Sequence, residues 1–225
     1  MSKTNQPAAQ EDNKFQLERI ALFSDAVFAI AITLLIIEIR IPELHSDRLT
    51  DSELLQQLLP VTTKLIGFLI SFFVIGLYWF SHHRMFGYVI RTNHRLLWNN
   101  LLFLLPIVIM PFSTSFLSEY YFNSNLRIPL AVYTATISLS GYFSFRLWKI
   151  IGNPVNHLSE HLPKEKLSYN ITRSLTIPIV FICALLFSLV NIKISYFILP
   201  LAPLVTGLIK AWYAKKYPAM KDAME

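Results

Sequence analysis

Apolar residues in this chain come in long unbroken runs rather than in alternation. Six runs, roughly 19–40, 63–86, 95–118, 126–149, 171–192 and 194–214, each hold about the 20 residues that a helix needs to cross a bilayer. A tilted membrane strand needs about half that length and an alternating pattern, so a β-barrel does not fit. The pattern predicts an all-α integral membrane protein with six transmembrane helices. A short polar turn around Glu119–Arg127 parts the third run from the fourth, and only the region near Asn191–Lys193 parts the fifth from the sixth. Both pairs are expected to be tight antiparallel hairpins. Pro106, Pro111, Pro178, Pro200 and Pro203 fall inside runs, which membrane helices tolerate and which often kinks them.

Composition agrees with the pattern. The chain is 54% hydrophobic and only 15% charged, against about 25% charged in ordinary soluble domains. Its net charge of +6 calls for no nucleic acid, because basic residues at the cytoplasmic ends of membrane helices supply the same surplus. Most basic residues fall on one side of the six-span plan, among them Lys14, Arg19, Arg84, Arg91, Arg95, Arg146 and Lys166, while Arg40, Arg48, Lys64, Arg127 and Lys193 fall on the other. The richer side is expected to be cytoplasmic, with both termini inside, in a multi-pass protein of the cell (inner) membrane. Residues 1–18 then read as a flexible cytoplasmic N-terminus, 19–216 as the membrane domain and 217–225 as a cytoplasmic tail. The outer loop 41–59 carries Glu43, Asp47, Asp51 and Glu53, which ordinary solvation explains as well as a cation-attracting vestibule does. The connector 150–170 is polar enough for a short interfacial helix. The single cysteine, Cys183, lies in an apolar run and is expected to pack against neighbours.

The first run, RIALFSDAVFAIAITLLIIEIR from Arg19 to Arg40, holds an acid, Asp25, and two hydroxyls, Ser24 and Thr33. An ionisable residue inside a spanning helix is costly and marks a functional or architectural position. On a helical wheel Phe23, Ala26, Ile30, Thr33, Leu34 and Ile37 share one stripe, and Asp25 points about 140° away from Ile30. Asp25 lies roughly 9 Å inside the cytoplasmic start of its helix. His82 and His83 on the second run and Asn99 and Asn100 on the third reach a similar depth, flanked by Trp79 and Trp98. Such a layer can satisfy itself by hydrogen bonds between helices. A proton relay through a histidine is the alternative use. A metal site of Asp25, His82 and His83 is awkward, because adjacent histidines diverge by about 100° on a helix.

The stretch Arg19-xxx-Phe23-Ser24-Asp25, continuing AVFAIAITLLIIEIRIP, resembles the R-x-x-x-F-S-D first-helix motif in prokaryotic relatives of the endolysosomal potassium channel transmembrane protein 175. YWFSHHR (78–84) and LLWNNLLFLLPIVIMPF (96–112) resemble its second and third helices, and the last three runs agree in hydropathy only. The resemblance implies a homotetramer of six-span chains with the four first helices lining a central, potassium-permeable pore. It makes Ile30, five positions after Asp25, the apolar constriction, with Thr33, Leu34 and Ile37 also facing the pore. It places Phe23, Ser24 and Asp25 in a polar network with second- and third-helix residues, drawn from His82, His83, Trp98, Asn99 and Asn100. Arg19 belongs to the motif. Beside the permeant potassium ion and the lipid bilayer, no cofactor, metal or nucleic acid is implied.

Three other readings stay open on the residues alone. A secondary transporter would couple to protons through Asp25 and His82 or His83. A membrane enzyme would use one of those histidines, although no nucleophile–base set stands out and the expectation is that the chain is not an enzyme. A purely structural subunit is the third. Glu38 is expected to pair with Arg40 or Lys64 at the interface, and Arg19 to reach headgroups or an acid of another helix.

Overall fold

The computed structural model describes residues 6–40, 50–121, 126–160 and 162–218. Among these the chain is helical throughout, and the single β-type pairing is a bridge between Val89 and Ser159. The helices are α1 (Gln6–Ile37), α2 (Asp51–Phe86), α3 (His94–Glu119), α4 (Ile128–Ile151), α5 (Lys164–Phe187), a single turn α6 (Ile192–Ser195) and α7 (Ala202–Lys216). Six stretches are long and apolar enough to cross a membrane: Asn13–Ile37, Val61–Phe86, His94–Glu119, Ile128–Ile151, Lys164–Phe187 and Ile192–Lys216.

The helix boundaries depart from the apolar runs in instructive ways. α1 begins at Gln6 rather than near Arg19, so the polar residues ahead of the apolar run continue the same helix out of the membrane layer. Pro7 is its second residue, where a missing N–H removes no helical bond. α2 begins at Asp51, within the stretch expected to be an outer loop. Thr50 caps it: the Thr50 side chain accepts from the Glu53 N–H, and the Glu53 carboxylate accepts from the Thr50 N–H at 2.9 Å. Those bonds hold the Glu53 carboxyl below its ordinary range. Of the acidic loop residues, Glu43 and Asp47 lie outside the described residues, as do 1–5 and 219–225 at the termini. The sixth span is not one helix. Residues Tyr196–Leu201 form a 3-10 stretch between α6 and α7, since Pro200 and Pro203 cannot donate the backbone bonds an unbroken α-helix needs. The 150–170 connector holds a 3-10 turn at Pro154–Asn156.

α4 is the middle of the bundle, packed most extensively against α3 and α5, while α1 leans on α3 and α2. The α4–α5 seam is made of small residues. At Gly141 a Cβ would run into the Pro178 ring and stand 2.7 Å from the Ser174 carbonyl, and Ser144 and Ser174 face each other at 3.3 Å. Small side chains let two helix backbones approach closely where no hydrophobic effect drives association. A buried cluster ties α2, α3 and α4 together: Ser71 and Tyr133 hydroxyls lie 2.7 Å apart, Thr114 donates to Ser71 at 2.7 Å, and Tyr78 donates to the Ile137 carbonyl at 3.0 Å.

The two ends of the bundle are pinned separately. At one, Arg127 donates to the Ser188 carbonyl at 3.0 Å, and Lys64 pairs with Glu119 at 2.6 Å rather than with Glu38. At the other, the Ile90 N–H donates to Leu158 at 2.8 Å and Lys166 donates to the Tyr88 hydroxyl at 3.1 Å. Cys183 is exposed on α5 instead of packed inside.

Replacing Gly141 by Ala should destabilise the bundle by about 1–3 kcal/mol, the usual cost of overpacking. Adding Pro178→Ala should recover part of that loss, because the ring is one of the two obstacles. Thermal unfolding of the four proteins of this double-mutant cycle in detergent reads the coupling. Strictly additive effects would show that the seam is not this tight.

Candidate functional site

α1 has two distinct faces. Ser24, Phe28, Ala31 and Leu35, spaced one helical turn apart, are 0–2% exposed. The opposite stripe is uncovered: Phe23 is 52% exposed, Ile30 59% and Ile37 66%, with Ala26, Thr33 and Leu34 exposed beside them. The uncovered arc is wider than the stripe and takes in Leu22 and Ile36 as well. All four residues implied as pore-lining, Ile30, Thr33, Leu34 and Ile37, therefore lie on the side of α1 that its own chain leaves open. The Thr33 hydroxyl donates to the Ile30 carbonyl at 2.9 Å.

Behind that face runs a directed chain of hydrogen bonds across three helices. His82 Nε2 of α2 and Asn100 Oδ1 of α3 are 2.8 Å apart, Asn100 Nδ2 donates to Ser24 Oγ of α1 at 2.9 Å, and Ser24 donates to its own helix at the Ile20 carbonyl, also 2.9 Å. With the Asn100 oxygen accepting, His82 must carry its proton on Nε2. Aromatic rings close over this chain: His82 stacks on Phe86 and Phe103 with centroids 4.4 and 5.4 Å away, and Phe28 leans on His82 at 5.7 Å.

The other polar residues at this depth have different partners. Asp25, half-buried on the flank of α1, accepts from the Trp79 indole N–H at 2.9 Å. His83 is exposed and lies against Trp79. Asn99 turns back to the Arg95 carbonyl of its own helix at 2.8 Å, and its Oδ1 is buried without a partner. Trp98 donates to His94 at 2.6 Å and stays on the surface. Arg19 sits over the Phe15 ring, 5.7 Å from its centroid, on the same side of the helix as Phe23. Of the two histidines and two asparagines, His82 and Asn100 thus join Ser24, while His83, Asn99 and Trp98 do not. Adjacent residues on a helix differ by 100° in direction, so one of each pair points inward and the other away.

Trp79 as the donor to Asp25 was not legible as such, although its place beside the polar layer was. The Ser71–Tyr133–Thr114 cluster was missed altogether. Its signal is three hydroxyls within otherwise apolar runs.

Residues 19–111, from the motif arginine to the second proline of α3, match a family model described as "Endosomal/lysosomal potassium channel TMEM175". A protein of Chamaesiphon minutus named a potassium channel is 40% identical over 131 residues, which are 58% of this chain and 64% of that protein. The chain is a relative of TMEM175. A TMEM175 of Gallus gallus, named an endosomal/lysosomal proton channel, is 31% identical over 136 residues, 58% of this chain and 27% of that protein. The chain thus aligns with less than two thirds of the length of these curated relatives. A crystal structure described as a lysosomal potassium-selective channel TMEM175 homolog from Chamaesiphon minutus covers 88% of this chain and 98% of its own, at 28% identity and a TM-score of 0.70. The TMEM175 match spans the membrane part of α1 together with α2 and most of α3, the three helices that the Ser24–Asn100–His82 chain joins.

Removing Asn100 leaves both His82 and Ser24 short of a partner. Asn100→Leu should cost about 1–3 kcal/mol of stability, toward the lower end because hydrogen bonds inside membranes average about 0.6 kcal/mol each. Asn99→Leu should cost clearly less, as Asn99 bonds only within α3. Chemical or thermal unfolding in detergent compares the two, and equal losses would mean that the chain through Asn100 does not hold α1 in place.

Proposed function

We propose that this chain forms a potassium-permeable cation channel of the cell (inner) membrane, a homotetramer in which four copies of α1 surround the pore and Ile30 makes its apolar constriction. The single observation that carries the reading is the open stripe of α1, uncovered by its own chain and lying opposite a fully buried stripe. The potassium-channel names of the bacterial relative and of the solved homolog support it. An apolar cleft of about 120 Å³ between Ile30, Leu34 and Val108 of α3 suits an apolar side chain of a neighbouring copy. The end of the bundle that carries Arg84, Arg91 and Arg95 is the cytoplasmic one on this reading, with both termini there.

The mechanism follows from what the stripe offers an ion. A ring of four Ile30 side chains excludes liquid water when narrow and gates by wetting when it widens. Thr33 is the one polar side chain on the stripe. Its proton is committed to the Ile30 carbonyl, so its oxygen presents lone pairs outward and replaces part of a cation's hydration. Potassium sheds water more readily than sodium, which makes a tight neck with a few such oxygens favour it. Asp25 takes no direct part; with Trp79 it holds α1 against α2.

A proton-coupled transporter built on Asp25 and His82 or His83 has less support, since Asp25 bonds to Trp79 and His82 to Asn100 rather than to each other. The decisive measurement is current through the purified protein in a planar bilayer under opposed potassium and sodium gradients. The current should reverse near the potassium potential and stay there when a pH gradient is imposed. Ile30→Asn should raise conductance and lower the preference for potassium several-fold. Unchanged conductance and reversal in Ile30→Asn would remove Ile30 from the neck, and saturable flux that follows the pH gradient would favour the transporter.

A further inference from the structure

Arg173 is an ionisable residue that neither the open face of α1 nor the polar layer uses. It lies nine positions into α5, about 13 Å along the helix from Lys164, within the membrane-spanning stretch Lys164–Phe187. Its side chain is partly buried. The groups that act on it electrostatically are Tyr169, which is hydrogen-bonded to it one turn toward the basic end, and Arg84 near the end of α2. No carboxylate is among them. Among the described residues the one ion pair joins Lys64 and Glu119, elsewhere in the bundle.

Two partly buried guanidiniums therefore face each other without a protein anion. Like charges withdrawn from water repel, and each loses hydration. Snorkelling toward the headgroups explains why Arg173 reaches back to Tyr169, but it delivers the guanidinium beside Arg84 rather than away from it. The arrangement lacks a counter-anion.

The surroundings say which kind of anion. Arg173 lines a small cavity of about 20 Å³ with Ser81, Leu77 and Ile177, so hydroxyl and guanidinium groups meet apolar walls at hydrocarbon depth. The Tyr78 and Ser174 hydroxyls on the same wall are already committed, to the Ile137 and Asn170 carbonyls at 3.0 and 2.8 Å. A guanidinium fork matches phosphate oxygens bidentately, and basic pockets between helices at this level bind lipid headgroups. We infer that Arg84 and Arg173 together bind the phosphate of an anionic lipid, which enters between α2 and α5 from the leaflet at the basic end of the bundle. A free phosphate ion brings no acyl chains to lie along Leu77 and Ile177, so the lipid is the occupant that fits both halves of the site. The inference does not depend on ion conduction.

The test uses the purified full-length protein in a neutral detergent, with thermal unfolding followed against added dioctanoyl phosphatidylglycerol, dioctanoyl phosphatidylcholine and inorganic phosphate. Phosphatidylglycerol should stabilise saturably, and the other two should not. Arg84→Gln and Arg173→Gln should each weaken the apparent affinity about fivefold, as expected for one basic residue acting on a headgroup. Arg91→Gln, an exposed basic residue at the same end, should leave it unchanged. Arg173→Lys keeps the charge but loses the fork, so a smaller loss is expected; with Arg84→Gln it carries the test if Arg173→Gln does not fold. Equal stabilisation of wild type and the Arg84→Gln, Arg173→Lys double variant would overturn the proposal, and so would the same shift from phosphatidylcholine or from inorganic phosphate alone.

Discussion

Hydrocarbon offers no water to a buried polar side chain, so Ser24, Asn100 and His82 must satisfy one another or pay the full cost of desolvation. That constraint sets the rotation of α1 about its own axis. Ser24 has to face α3, because Asn100 is the donor within reach. The helical repeat then carries Phe28, Ala31 and Leu35 inward with it, and all three are buried. It also turns Phe23, Ile30 and Ile37 outward. A rotation of one residue, about 100°, would strand the Ser24 hydroxyl's partner and bring a different stripe to the open side. The rings of Phe28, Phe86 and Phe103 packed on His82 reinforce the setting by excluding water from the bonds that fix it.

Asp25 is the conspicuous residue of this helix and plays a narrower part. It sits on the flank of α1, where a single indole N–H from α2 meets it. α1 is thus attached to α3 through Ser24 and to α2 through Asp25, two contacts at one level on neighbouring sides. Further along the bundle, the Ser71–Tyr133–Thr114 cluster joins α2 to α3 and α4. α2 is consequently held at two depths, which restrains its tilt and makes it a fixed wall for α1. The close α4–α5 seam at Gly141 stiffens the far side of the same body.

How much of this could be read beforehand depends on whether a feature is local. The number and approximate place of the spans follow from runs of apolar residues, which is a local property. The start of α2 at Asp51 depends on a capping box at Thr50 and Glu53, and the break in the sixth span on Pro200 and Pro203. Both were visible as residues, but apolar runs say nothing about polar helix extensions. The choice between His82 and His83, or between Asn99 and Asn100, was not legible at all, because each pair differs only in direction and direction is decided by packing. The same holds for Lys64, which meets Glu119 and not Glu38 because α2 and α3 lie side by side there. Most opaque was the outward face of α1: a stripe facing lipid and a stripe facing a pore are equally apolar, and resemblance to TMEM175, not wheel geometry, singled out Ile30.

An apolar stripe also explains why a conducting helix, on the proposed reading, keeps its acid off the ion path. A ring of four carboxylates at the neck would attract cations strongly and release them slowly, and conduction needs binding weak enough to leave. Thr33 is the milder alternative. Its hydroxyl proton is used up on the Ile30 carbonyl, so each subunit offers the axis an acceptor oxygen with no net charge, one turn from the hydrophobic ring. Four such oxygens lower the cost of partial dehydration without trapping the ion. The negative charge of Asp25 is then best placed where it is found, bonded to Trp79 on the side of α1 turned away from Ile30, where it positions the helix.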